Sequence, residues 1–229
     1  MRTLFFALAI FTLGFVGCKS TETEEVQQQQ EKQQQELNSR SVATEASNTI
    51  EIAVKELVKA FKNQDTTTLN KYINQDKGLY YVQSTQGAYS QCIHYYHAGK
   101  MIADSEGANE YEINPMKYLL DYFNNVNAKE MEVITEDLFG VEACGFEKEG
   151  FFVDRNEADV KLLTDVYTMN IARDEEDIES DELVKLGEIQ NEVTKTVFIG
   201  DGDITYTFYL TDEDGQWWLT IMDLRDCVM

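Results

Sequence analysis

Both histidines of the 229-residue chain fall in one short run, Cys92-Ile93-His94-Tyr95-Tyr96-His97. Imidazole and thiolate are zinc ligands, and imidazole is also the side chain best suited to move a proton near neutral pH. A structural zinc site asks for four ligands and a catalytic one for three. Along a strand side chains alternate, so Cys92 and His94 share one face and His97 takes the other. Two convergent ligands make half a site, and no metal is expected. One histidine could act as a general base beside a carboxylate, but the run identifies no such partner. It reads instead as a Tyr- and His-rich strand that faces a pocket or a sheet edge.

Cys92, Cys144 and Cys227 are an odd number of thiols. In an oxidising compartment one pair can bridge and leave one over. Cys227, just after the last strand-like run, is placed to staple the terminus, with Cys92 or Cys144 as its mate. Three reduced, buried cysteines are the alternative. There is no Cys-x-x-Cys to support redox catalysis. Asp174 to Glu182 holds seven carboxylates in nine residues but lacks the glycine turn of a calcium loop. It is expected as a solvated loop or helix face, or as a docking surface for a basic partner. Aligning Asp212-Glu213-Asp214-Gly215 on an EF-hand loop puts Leu210 and Ile221 where oxygen ligands belong, which excludes it. No nucleophile elbow, phosphate-binding glycine loop, dinucleotide fingerprint or His-Glu-x-x-His occurs, and no cofactor is expected.

Asp and Glu total 42 against 19 Lys and Arg, a formal net charge of −23. Such a surface repels phosphates, so nucleic acid is not an expected partner. Cations, basic peptides and basic proteins are the partners it permits, and keeping a tethered protein soluble is the simpler role of the acidity. The first residues qualify this for membranes. Arg2 precedes an uncharged, mostly apolar stretch from Thr3 to Gly17. That is shorter than the roughly 20 residues of a spanning helix and has the length of a signal-peptide core. It closes on Phe15-Val16-Gly17-Cys18, which resembles the lipobox of bacterial lipoproteins, with Phe15 in place of the usual Leu. The resemblance implies cleavage before Cys18, lipidation of its sulfur and a membrane anchor of two or three chains. It places the chain in the cell envelope, on the outer membrane and facing the periplasm or the surface. Glu22, Glu24 and Glu25 resemble an acidic surface-sorting signal. Residues 1–17 are thus the expected signal peptide and 18–47 a Gln- and Glu-rich, disordered tether. Residues 48–229 are the expected globular domain.

Within that domain Asn48 and Glu51 have capping-box spacing, and Ile50, Ala53, Val54, Leu57, Val58 and Phe61 recur at helical intervals. Asp65 can cap a second short helix carrying Leu69, Tyr72 and Ile73. Asn114-Pro115 opens the clearest helix, with a stripe of Met116, Leu119, Leu120, Phe123 and Val126. Residues 156–172 suit a helix better than a strand. Val193–Ile199, Ile204–Leu210 and Trp217–Leu224 form an antiparallel meander, broken by Gly- and Asp-rich turns. Weaker strand runs are Leu79–Val82, Ser90–Tyr96, Met131–Thr135 and Phe146–Val153. The expected class is α+β, with helices on one face of a curved antiparallel sheet. Ala60 to Asp65, Leu69, Tyr72-Ile73 and Gly78, with Gly215-Gln216-Trp217-Trp218-Leu219 through Asp223, resemble the opening and last strand of NTF2-like lipoproteins. In that superfamily the sheet wraps into a cone.

The resemblance implies that His94, Tyr96 and His97 line a cone cavity and bind a ligand. The fold hosts enzymes and inert binders alike, so it transfers no activity. The expected function is a membrane-anchored domain that binds a small molecule or a protein without catalysis. A cone-fold enzyme using a pocket His or Asp is the alternative, as is an acidic inhibitor or immunity-type protein covering a basic partner.

Overall fold

In the computed structural model, residues 50–85, 89–106, 115–127, 131–138, 141, 146–172, 180–200 and 204–225 are described. The expectations for the signal segment, Cys18, the tether, Asn48, Asn114, Cys144, Cys227 and 174–179 lie outside them.

The six apolar residues spaced from Ile50 to Phe61 form one side of helix α1, 50–62, and all six are buried. Asp65 caps α2, Thr66–Leu69, by accepting from the Thr68 backbone N–H at 3.1 Å and from its hydroxyl at 2.6 Å. Tyr72 and Ile73 follow α2 in a turn and not in the helix, yet both are buried. The Tyr72 hydroxyl donates to Glu56 on α1 at 2.6 Å.

A hairpin comes next, β1 (Leu79–Thr85) with β2 (Tyr89–Tyr95), then α3 (Ala98–Glu106) and α4 (Pro115–Asn125). Two short strands, β3 (Val133–Glu136) and β4 (Gly150–Asp154), precede helices α5 (Leu162–Ala172) and α6 (Ser180–Asn191). The chain closes with β5 (Lys195–Gly200), β6 (Thr205–Glu213) and β7 (Gln216–Leu224). The fold is α+β, on an open, mostly antiparallel seven-stranded sheet in the order β2-β1-β7-β6-β5-β4-β3. The meander of β5, β6 and β7 stands as the alternation indicates. Asp214 and Gly215 turn β6 into β7 with φ of 53° and 83°, both positive as a tight two-residue reversal requires. The sheet departs from an all-antiparallel one at two joints, since β1 runs parallel to β7 and β3 parallel to β4.

The expectation of helices on a single face is corrected. Tyr206, Phe208 and Leu210 join α1 and α4 in the main core, where Phe61, Phe123 and Phe208 pack with ring centroids 5.8–6.4 Å apart. Each such ring contributes about 1.5–3 kcal/mol by leaving water. The opposite face buries Tyr80, Val82 and Ile221 beneath Leu163 and Val166 of α5 and Leu186 of α6. The intervening residues of β6, Thr205, Thr207 and Tyr209, are covered as well, and Thr207 is wholly buried. Among the described residues no helix is long and apolar enough to cross a membrane.

Two amides hold the second layer in place. Gln190 of α6 is buried, and its Oε1 accepts from the backbone N–H groups of Leu163 and Thr164 at 3.2 and 3.3 Å. Its Nε2 donates to the Thr164 hydroxyl at 3.0 Å. These are first-turn donors of α5 with no intrahelical acceptor. At the other end of α5, Asn170 donates to the Ser90 carbonyl of β2 at 3.0 Å. Helix α6 is thereby fixed across from the β1–β2 hairpin.

Candidate functional site

The hairpin brings Tyr80 directly opposite His94. Their rings stack at 4.1 Å with 11° between planes, and Tyr96 leans on the imidazole at 4.5 Å and 48°. A missing side chain makes room for this arrangement. Gly78 has φ +73°, and a Cβ built there would lie 2.2 Å from His94 Nε2 and 2.8 Å from Cδ2. The imidazole occupies the space that any other residue at position 78 would need. Its Nε2 lies 2.7 Å from the Lys77 carbonyl oxygen. A carbonyl only accepts, so Nε2 carries the proton and donates, and in the neutral ring Nδ1 is the basic atom.

Across from these rings runs α6. Asp181, Lys185 and Glu188 follow one another at steps of four and three, which places them on one side of the helix, and Glu192 lies one residue past its end. Together with Glu182, Leu186 and Ile189 they form one wall of a cleft of about 690 Å³, whose other wall is Asp76, Lys77, Tyr80, His94 and Tyr96. The Lys77 ammonium bridges Glu192, just past α6, and Glu213 of β6. Hydrogen bonds to these two carboxylates raise its pKa. Burial lifts the Tyr80 hydroxyl to about 12, helped by the negative charge that Cys92, Tyr96 and Glu182 can carry. Tyr80 is 7 % exposed and acts as a fixed platform, whereas Tyr96, 46 % exposed, presents its ring to whatever enters.

Of the residues singled out from sequence, His94 and Tyr96 lie together in this cleft. Cys92 is on the same face of β2 as His94 and packs into the second core with Tyr80 and Val82. His97 is elsewhere: it is exposed just beyond β2, where its carbonyl accepts from Lys100 and Met101 at the start of α3. Asp181 and Glu182, the end of the acidic run, line the cleft as well, whereas Tyr80, Lys77, Lys185, Glu188 and Glu192 were not singled out. Tyr80 is named only by strand register, which pairs it with His94. The α6 stripe had a signal in Leu183, Leu186, Gln190 and Val193, spaced for a helix directly after the acidic run. Among the described residues no three His, Cys, Asp or Glu side chains come close enough together to hold a metal ion.

Fold and site thus define an α+β domain with helices on both faces of an open sheet and an aromatic-walled, acidic cleft at the β1–β2 end. No protein-family model, no curated protein and no solved structure matches the chain.

Proposed function

We propose that this chain is a lipid-anchored envelope protein whose domain binds a ligand without transforming it, in the cleft between the β1–β2 hairpin and α6. The observation that carries the binding reading is the Tyr80–His94–Tyr96 stack facing a cleft of about 690 Å³, within the size range of small-molecule sites. His94 serves there as a positioned surface. Its Nε2 is spent on a backbone carbonyl, and Gly78 holds the ring in one orientation. The cone-like, NTF2-type reading draws support from the long α1, the Asp65-capped turn and the β7 strand that closes the meander. The anchor rests on the stretch from Arg2 to Cys18. Partners are therefore a membrane, through lipid, and the ligand of the cleft; the charge of −23 disfavours nucleic acid.

Two measurements test these parts separately. Cys18→Ser should abolish labelled-palmitate incorporation and release the chain from membranes; undiminished labelling would refute the anchor. A thermal-shift screen of polar small molecules on the full chain should give stabilising compounds whose effect is lost in Tyr96→Ala. Compounds that stabilise both proteins equally would place binding outside the cleft. Consumption of a bound compound would make the domain an enzyme.

A further inference from the structure

The cleft's chemistry narrows what it takes, provided that the binding reading above holds. Five carboxylates line it, Asp76, Asp181, Glu182, Glu188 and Glu192, against two lysines, Lys77 and Lys185. Lys77 is paired with Glu192 and with Glu213, which leaves Asp76, Asp181, Glu182 and Glu188 against Lys185. The carboxylates do not converge. From Asp181 to Glu188 the stripe on α6 extends about 10 Å at the rise of an α-helix, and Glu192 lies just past the helix end. A metal ion needs its ligands within bonding distance of one point, and no such group of three exists among the described residues. A compact anion would meet carboxylates on one wall and the negative faces of π-systems on the other. An extended cation meets favourable partners on both: carboxylates along α6, and the rings of Tyr96 and Tyr80 opposite.

We infer that the cleft binds an elongated polycation, carrying ammonium or guanidinium groups spaced along a chain, with one cationic head over Tyr96 and the others along the α6 carboxylates. Two sources share this chemistry, a free linear polyamine and a run of basic side chains on a protein.

The test uses the full chain and two probes, spermine and a Lys/Arg octapeptide, titrated by calorimetry at low and at near-physiological salt. Binding at one site per chain is expected for at least one probe, weakening with salt. Asp181→Asn with Glu188→Gln should weaken it about tenfold, and Tyr96→Ala about threefold. Glu132→Gln with Glu147→Gln removes the same charge from exposed positions outside the cleft and should change affinity less than twofold. Spermine alone binding would identify a small polyamine, and the peptide alone a basic protein segment. Equal loss in the two charge-matched doubles would overturn the inference, since attraction to net charge would then account for the affinity. Absence of binding by both probes would also overturn it. If a neutral or anionic compound still bound in a Tyr96-dependent way, the binding reading would survive and only the polycation would be wrong.

Discussion

Gly78→Ala would dismantle the aromatic wall from behind, and its cost can be built up from the structure. Alanine in the left-handed region costs about 1–2 kcal/mol by itself. Its methyl group would stand 2.2 Å from His94 Nε2 and 3.0 Å from the Tyr95 carbonyl oxygen. A ring can swing away more easily than backbone can move, so the imidazole leaves. It then loses the hydrogen bond to the Lys77 carbonyl, about 0.5–1.5 kcal/mol, and its stack on Tyr80, about 0.5–1.5 kcal/mol. The sum is about 2–5 kcal/mol, or a fall of about 1–2 M in the urea midpoint of a domain this size. In a His94→Ala background the ring terms are already gone, and Gly78→Ala should cost only the backbone part, about 1–2 kcal/mol. Trp217 and Trp218, the two tryptophans of the chain, lie on β7 within the sheet and report unfolding by fluorescence. Equal costs of Gly78→Ala with and without His94 would refute the claim that glycine is there to seat the imidazole.

Lys77→Met removes two ion pairs next door, yet the lysine is about one-third exposed and such pairs are worth about 0–1 kcal/mol. Its urea midpoint should therefore fall by less than that of Gly78→Ala, and the reverse ranking would count against the argument. Gln190→Leu leaves the first-turn N–H groups of α5 buried without an acceptor and should cost about 1–3 kcal/mol. A thermal melt matching the parent would show that the cap does not matter. Burial raises the Tyr80 and Tyr95 hydroxyls to about 12, and shifts Tyr72, Tyr81 and Tyr209 upward as well. Unfolded tyrosines ionise near 10, so above that pH the unfolded chain binds fewer protons than the folded one. Stability complete below pH 10 should therefore fall as pH rises through about 12. Tyrosinate absorbance and tryptophan fluorescence should change together, and early tyrosinate absorbance without unfolding would contradict it.

What could be read in the sequence followed the strength of local pattern. The stretch 50–62 and Pro115–Asn125 each carry an unbroken apolar stripe, and the three closing strands are separated by Gly and Asp reversals. These elements declare themselves within a dozen residues. Ala98–Glu106 does not, because among its described residues the buried ones are Ala98, Met101 and Ile102, too short a stripe to stand out. Ser180–Asn191 hid behind its carboxylates, although Leu186 and Gln190 mark its inner side. Half of the site was visible as the histidine run. The other half depends on Tyr80 meeting His94 across a hairpin and on α6 being fixed by Gln190, and both are tertiary facts. The second buried face escaped notice for a related reason. Threonines on β6 suit a strand surface whether water or a helix covers it, so residue type alone leaves the choice open.

The parallel seam between β1 and β7 has a consequence for the order of assembly. Tyr80 is paired with Ile221, nearly the whole domain later in the chain. The hairpin is synthesised well before the strand that flanks it. Until β7 emerges, β1 has one open edge and half of its ladder unmade. Folding must therefore be late and non-local, which slows it. A nascent or truncated chain lacking β7 would expose a pairing edge to its neighbours.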